Sequence, residues 1–159
     1  MSRSLGNALP EPVRSLFDGE RIAEKASLAF LLVTIDARGL PHCALLSVGE
    51  IVARGPSAVR LALYATSTTT GNLRRSGAFT LALAHADRAY YVKGRAAERP
   101  AGGEVPRGLA VFDGTIEEVL EDGEAIARVT SGFSIALTEG AERTVARWER
   151  VVAALRALP

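Results

Sequence analysis

The sequence lacks most of the features that mark a specialised class of protein. Cys43 is its only cysteine, so an intrachain disulfide is excluded, and its spacing from His42 and His85 does not resemble a structural zinc site. With 19 basic and 18 acidic residues, the formal net charge is only +1. Because no strong field of one sign surrounds the molecule, we expect neither nucleic acid nor an anionic membrane as partner.

Long hydrophobic runs are also missing. No segment reaches the roughly 20 apolar residues of a membrane-spanning helix, and residues 1–12 lack the apolar centre of a secretory signal. The single cysteine fits a reducing compartment, so a cytoplasmic location is expected. The 159 residues, 48% of them hydrophobic, are enough for a real core, and we expect one domain over residues 1–159.

Short, partly alternating apolar segments separated by turn residues run through most of the chain, which is typical of antiparallel β-structure. A helical bracket is predicted at about 10–26, a short helix at 122–129 and a closing amphipathic helix at about 138–158. Asp113-Gly114 is a candidate bulge or bend. The predicted strands cover 28–36, 40–48, 50–54, 59–65, 78–85, 89–98, 109–120 and 132–137.

A hydroxyl-rich segment joins strand 59–65 to a short helix that should end at Gly77. Ser67 or Thr68 can cap its start. The first helical turn leaves N–H groups unpaired, and with the nearby hydroxyls and the positive end of the helix dipole these groups offer a site for a phosphate or carboxylate. A solvated, capped turn explains the same residues equally well. The residues alone leave both interpretations open.

Six or seven short strands joined by tight turns, with one helix inserted between them, predict a mainly β fold with flanking helices and an antiparallel, Greek-key-like barrel. Parallel β/α/β packing is disfavoured. A barrel built from so small a chain leaves an apolar flank exposed, and covering that flank with a second copy predicts a homodimer.

Several strings, taken in order, resemble the pyridoxamine-phosphate-oxidase-like, FMN-binding split-barrel family. They are Pro41-His42-Cys43-Ala44-Leu45-Leu46-Ser47, the run from Tyr64 to Gly77 with Asn72-Leu73, and the run from Arg88 to Ala96. The resemblance covers most of the chain. It implies a split β-barrel, a homodimer, and flavin mononucleotide (FMN) at the dimer interface with its phosphate near the start of the central helix.

The resemblance also implies a set of cofactor-binding residues. Members that oxidise pyridoxamine phosphate carry basic residues where this sequence has His42, Ser47 and hydroxyls, and neutral donors hold a phosphate less tightly. Their C-terminal basic motif is not recognisable around Trp148, which argues against that substrate. The implied cofactor-binding residues are His42, Ser47, Tyr64, Ala65, Ser67, Thr68, Thr69, Asn72, Tyr90 and Lys93.

The expected function is that of a flavin-dependent oxidoreductase acting on a small molecule. No side chain is assigned as catalytic and no metal site is expected. Two alternatives stay open: a non-catalytic protein that stores, senses or carries a flavin or haem, and a reductase that uses the deazaflavin F420. For haem, His42 or His85 would supply the imidazole. The plainer roles are a packed strand histidine for His42 and a surface lysine for Lys93.

Overall fold

The computed structural model describes residues 1–100 and 102–159, and its strands form one antiparallel sheet. Across the sheet the strand order is β3-β2-β6-β7-β8-β5-β4, with the short β1 paired to β8. The sheet curls into a half-barrel, which confirms the predicted mainly β, split-barrel architecture. In chain order the elements are β1 (Arg3–Ser4), α1 (Glu11–Leu16), β2 (Ala29–Ile35), β3 (Pro41–Ser47), β4 (Ile51–Ala53), β5 (Ala58–Tyr64), α2 (Thr68–Ser76), β6 (Ala78–His85), β7 (Arg88–Arg99), β8 (Leu109–Asp122) and α3 (Ala141–Ala157).

Alternation along each strand gives the sheet an inner and an outer face. On β2, Phe30 and Leu32 are buried, whereas Leu31 and Val33 between them are partly exposed. The central helix α2 packs against β2, β3, β5 and β7, with Leu73 buried beneath it. The start of α2 is therefore held inside the curl of the sheet. None of the helices in the described residues combines the length and the apolar character needed to cross a membrane.

Two predicted elements between β8 and α3 do not form. The helix expected at 122–129 is replaced by an irregular segment with one isolated bridge, Glu124 to Ala127, because β8 runs on through Asp122 in pairing with β7. The strand expected at 132–137 makes only the isolated bridge Ser134 to Leu28. From Leu31 to Thr34 both edges of β2 are taken by β3 and β6, so the segment reaches only the start of β2, where the Ala29 amide donates to the Phe133 carbonyl oxygen at 3.2 Å.

The structure also differs from the prediction, in smaller ways, at the N-terminal helical bracket and at the candidate bulge. Only Glu11–Leu16 of the predicted bracket is helical, and the residues after Gly19 form turns. The pairing of β7 with β8 is irregular at Lys93/Gly94, not at Asp113-Gly114. A side chain at Gly94 would place its Cβ 2.2 Å from the Thr115 carbonyl oxygen, so the close approach of the two strands there requires glycine.

The end of α3 is held against the sheet by a buried arginine on β5. Only 4% of the Arg60 surface is exposed. Its Nε donates to Asp113 Oδ1 at 2.5 Å, and Nη1 donates to the carbonyl oxygens of Leu155 and Leu158 at 2.9 and 2.8 Å. Nη2 donates to the Pro159 oxygen at 3.0 Å. One guanidinium thus satisfies carbonyl groups that the helix end leaves without an intrahelical partner.

Two neighbouring arginines support this contact. Arg54 Nη1 donates to the Arg156 carbonyl oxygen at 3.0 Å, and Arg99 Nη1 donates to the Pro159 oxygen at 2.6 Å. With the end of α3 fixed in this way, the middle of the helix lies over β4 and β5.

Replacing Arg60 by methionine should lower the free energy of unfolding by about 2–4 kcal/mol, because buried carbonyl groups lose a charged donor. Urea unfolding followed by circular dichroism measures the change. The control is Arg128→Met, which removes an exposed 3.6 Å pair with Asp87 and should change stability by less than about 0.5 kcal/mol. Equal effects of the two substitutions would contradict the role given to Arg60.

Candidate functional site

The start of α2 is built as the sequence predicts. Ser67 is the N-cap, and its Oγ accepts from the Thr70 amide at 3.1 Å, while Gly77 ends the helix in the left-handed conformation at φ 70°. Thr70 is fully buried and its hydroxyl donates to the Tyr64 carbonyl oxygen at 2.8 Å. The hydroxyls of Ser67 and Thr70 are therefore both used in hydrogen bonds that stabilise the start of α2.

Other donors at the same helix start remain available. The amides of Thr68 and Thr69 find no acceptor within the described part of the chain. Thr69 is 5% exposed and lines a cavity of about 170 Å³ between α2, β3 and β5. This is the smaller cavity, and it is bounded by Leu32, Ala44, Leu45, Leu46, Glu50, Leu63, Tyr64, Ser67 and Thr69.

A larger cavity of about 470 Å³ adjoins the smaller one. The two share the lining residues Leu45, Leu46, Glu50 and Tyr64, so they lie side by side, and together they are called the groove below. The larger cavity lies between β3, β5 and the inner side of α3, and its size is in the range of small-molecule sites. Its other lining residues are Ala29, Ser47, Gly49, Ala62, Leu109, Ile135, Thr144, Arg147, Trp148 and Val151.

A half-buried carboxylate lies where the two cavities meet. Glu50 Oε2 accepts from the amide of Ser47 at 2.7 Å and from its hydroxyl at 2.9 Å. Burial raises the pKa of Glu50 above its ordinary value, although the two Ser47 hydrogen bonds and the charge of Arg147 act in the opposite direction. The groove therefore holds a carboxyl group whose charged form is disfavoured.

Aromatic side chains and one guanidinium form the α3 side of the groove. Arg147 lies over the Tyr64 ring, with Cζ 5.5 Å from the ring centroid, and its Nη1 donates to the Tyr64 hydroxyl at 3.2 Å. Trp148 packs directly on Gly49, where a Cβ would lie 2.1 Å from the Trp148 Cγ. Gly49 thus allows the indole ring to approach the β3–β4 turn and close this side of the cavity.

Four of the sequence-predicted residues line this groove, and two more lie beside them in the chain. Ser47 and Tyr64 line the larger cavity, and Tyr64, Ser67 and Thr69 line the smaller one. Thr68 is exposed at the helix start, and the Ala65 carbonyl oxygen accepts from Arg74 Nη1 at 3.0 Å. The binding roles of these six residues stay predictions.

His42 and Asn72 lie beside the groove. Asn72 is buried, and its Nδ2 donates to Thr34 Oγ1 at 3.0 Å, which ties α2 to β2. His42 is the strand neighbour of Thr34 and lies on the same inner face as Ala44 of the smaller cavity. Asn72 therefore has a structural contact of its own, whereas His42 is half-buried near the groove.

Tyr90 and Lys93 lie elsewhere on β7. Tyr90 is 3% exposed and belongs to the core, where burial and the nearby Glu121 carboxylate raise the pKa of its hydroxyl. Lys93 is on the outer face, and its Nζ donates to Glu118 at 3.1 Å. Neither side chain lines the groove. Only Lys93 could contact a ligand at the outer face of the sheet, because Tyr90 is buried on the inner face.

Glu50 and Arg147 line the groove but are not among the residues predicted from the sequence. The strand pattern places Glu50 at the start of a strand, although an acidic residue in an otherwise apolar stretch between β3 and β4 is itself a signal. Arg147 is one of several arginines on α3, and nothing local distinguishes it. Among the described residues, no group of three or more His, Cys, Asp or Glu side chains is placed to hold a metal ion.

The Glu50→Gln substitution should change how stability depends on pH. Because the pKa of Glu50 is raised in the folded state, its contribution to the free energy of unfolding is greatest when the carboxyl group is protonated. That contribution is lost as the pH rises from the ordinary carboxyl pKa of about 4.3 through the raised pKa of the folded state. Urea unfolding over a pH series should therefore show wild type losing stability relative to Glu50→Gln as the pH rises. The exposed Glu149→Gln should run parallel to wild type. A wild-type advantage that grows with pH would contradict the raised pKa.

One protein is related to this chain in sequence, and several solved structures share its fold. No protein-family model matches the sequence. The uncharacterized protein YclD of Bacillus subtilis is 32% identical over 150 residues, which cover 94% of this chain and 97% of YclD.

Solved structures with the same fold are more distant in sequence. HupZ from Group A Streptococcus superposes with a TM-score of 0.55 at 14% identity, over 69% of this chain and 96% of HupZ. A protein of Lactobacillus delbrueckii, named as a candidate pyridoxamine 5'-phosphate oxidase, gives 0.53 at 20% identity, over 74% of this chain and 98% of that protein. A structure named F420 reductase superposes with a TM-score of 0.51 at 14% identity, over 70% of this chain and 98% of that protein. The chain thus belongs to the family of Bacillus subtilis YclD and has the split-barrel fold of the pyridoxamine 5'-phosphate oxidase-like proteins.

Proposed function

We propose that this chain is an FMN-binding protein of the cytoplasm that acts as an oxidoreductase on a small molecule. The observation that carries this proposal is the groove from the N-terminus of α2 to the Glu50 carboxyl group. One end offers donors for a phosphate, and the other is wide and largely apolar. A mononucleotide with a planar ring requires these two environments side by side.

The helix end of the groove suits a phosphate through neutral donors. The Thr69 hydroxyl and the free amides of Thr68 and Thr69 lie at the positive end of the α2 dipole. The nearby cations are already engaged, Arg74 by Glu98 at 2.6 Å and Arg75 by the Ile35 carbonyl oxygen. Because neutral hydrogen bonds to phosphate are weaker than charge-assisted ones, we expect modest affinity.

The remaining predicted residues would border the ring. In the proposal Ser47 and Tyr64 lie along the groove, Ala65 follows Tyr64 in the chain, and His42 lies beside the groove on the inner face of β3. A bound flavin supplies one- and two-electron redox chemistry, and the protein supplies orientation and exclusion of water. Glu50 would hold or release a proton within the groove, because burial raises the pKa of its carboxyl group.

The outer face of the sheet supports a homodimer. One apolar row crosses five strands at matched register, with Leu45 opposite Leu31, Leu31 opposite Ala82, Ala82 opposite Tyr91, and Tyr91 opposite Leu120. All five are at least partly exposed in the single chain, and Leu45 is 50% exposed. We propose that a second copy covers this row and approaches the groove at Leu45, which borders both cavities.

The deazaflavin F420 is the second candidate cofactor, favoured by the structural similarity to the protein named F420 reductase. The same neutral donors at α2 would serve its phosphate. Absorption spectra of purified protein incubated with FMN, F420 or haem distinguish these candidates, and a carrier would bind one of them without turnover.

FMN should bind more tightly than riboflavin, which lacks the phosphate, and the difference should depend on Thr69. Thr69→Val removes one hydroxyl donor at nearly constant volume and should weaken FMN binding by about five- to tenfold while leaving riboflavin unchanged. Flavin fluorescence titration measures both affinities. Thr66→Val, an exposed change in the same turn, is the control. Equal affinity for the two flavins, or no effect of Thr69→Val, would refute the phosphate site.

Leu31→Glu should convert the dimer to a monomer, because it places a charge in the middle of the apolar row. Light scattering after size-exclusion chromatography measures the mass. Ile126→Glu, at a side chain that is 97% exposed, should leave the mass at that of two chains. A wild-type protein with the mass of one chain, or a Leu31→Glu variant that stays dimeric, would refute this interface.

A further inference from the structure

One flank of α3 carries three arginines, called the arginine row below. Arg143, Arg147 and Arg150 are four and three residues apart, so their side chains lie on the same side of the helix. All three are exposed, and Arg147 also lines the larger cavity. The arginine row therefore runs along the edge of that cavity.

No carboxylate forms an ion pair with the arginine row in the described part of the chain. The acidic residues of α3, Glu142 and Glu149, directly precede Arg143 and Arg150, and adjacent residues do not face each other on a helix. Nine other arginines do form ion pairs with Asp or Glu. The lack of a partner is thus a property of the row and of few other arginines.

The arginine row also opposes the stability of α3. Like charges three and four residues apart repel each other on a helix. Arg143 lies in the first helical turn, where the positive end of the helix dipole disfavours a cation. Since these repulsions are not compensated by ion pairs within the described residues, an anion from outside the chain is the partner that would compensate them.

The arginine row meets the groove at Tyr64, which borders both cavities and whose hydroxyl accepts from Arg147 Nη1 at 3.2 Å. A fourth cation lies in the neighbouring loop. Arg107 is exposed and is two residues from Leu109, which pairs with Tyr64 across β5 and β8. A ligand that leaves the groove beside Tyr64 therefore enters a region of positive charge.

The length of the row narrows the class of ligand. The seven residues from Arg143 to Arg150 span roughly 10 Å along the helix axis. One carboxylate or phosphate engages one or two guanidinium groups, whereas a ligand with several anionic groups can engage the whole row. Arginine binds carboxylate and phosphate with the same bidentate geometry, so the number of anionic groups defines the class.

We propose that the arginine row of α3 binds the anionic end of the substrate, a small molecule that carries two or more phosphate or carboxylate groups. The assignment names the substrate class of the proposed oxidoreductase and in that respect rests on the proposed function. The groove keeps the cofactor, and the row lies on the exposed flank of α3 outside it.

Isothermal titration calorimetry of flavin-free protein at low salt tests the row directly. Tripolyphosphate and citrate are the probes with several anionic groups, and inorganic phosphate is the comparison with one. We expect at least one of the two probes to bind about tenfold more tightly than phosphate, and added salt to weaken that binding. The tighter of the two distinguishes a phosphate-bearing from a carboxylate-bearing substrate.

Variants at the ends of the row leave Arg147 and the groove intact. Arg143→Gln and Arg150→Gln should each weaken binding of the tighter probe by about three- to tenfold. Their urea midpoints should stay at the wild-type value or rise, because repulsion within α3 is relieved. Arg88→Gln removes the same charge from an exposed arginine at the start of β7 and should leave binding unchanged.

Equal binding of all three anions, or equal effects of Arg88→Gln and the two α3 variants, would overturn the assignment. A lowered urea midpoint in Arg143→Gln would overturn it as well, by giving the row a structural role. With saturating FMN present, unchanged binding of the probe supports a separate substrate site, whereas its displacement gives the row to the cofactor phosphate and overturns the proposal. Because the first titrations contain no flavin, their failure is distinguishable from failure of the FMN proposal.

Discussion

The candidate site depends on the buried contact between Arg60 and the end of α3. A guanidinium that is 4% exposed satisfies three carbonyl oxygens of residues 155–159 and pairs with Asp113 on β8. Burying a charge is costly unless it is fully hydrogen-bonded, so this arrangement admits few alternatives. It fixes the helix that carries Arg147 and Trp148 over the β3–β4 turn, and the larger cavity exists because of that placement.

The groove combines two kinds of polar group with different electrostatic demands. At the α2 end, neutral hydroxyl and amide donors favour an anion through the helix dipole, while the nearby Arg74 and Arg75 are engaged by other protein groups. At the α3 end, a half-buried carboxyl group and a guanidinium border a wide space with largely apolar walls. An anionic tail at one end and a planar ring at the other fit this arrangement, which agrees with the proposed mononucleotide cofactor.

Local sequence signals predicted much of the fold. Ser67 and Gly77 are cap residues whose effect depends on neighbouring backbone, and the helix between them forms as predicted. The alternation that puts Tyr90 and Tyr91 on opposite faces of β7 is equally local. Segment 132–137 has a strand-like pattern, yet β3 and β6 occupy both edges of β2 from Leu31 to Thr34, and that constraint depends on pairing between distant strands. Glu50 and Arg147 are 97 residues apart, so no local pattern could bring them into one cavity.

The most direct test of the central claim is a crystal structure of the protein with FMN bound. The account predicts the phosphate at the start of α2, with its oxygens at about 2.7–3.2 Å from the Thr69 hydroxyl and from the amides of Thr68 and Thr69. It also predicts that a second copy covers the apolar row on β2 and β6. A phosphate bound away from α2, or a helix start that contacts only solvent while FMN lies elsewhere, would contradict it.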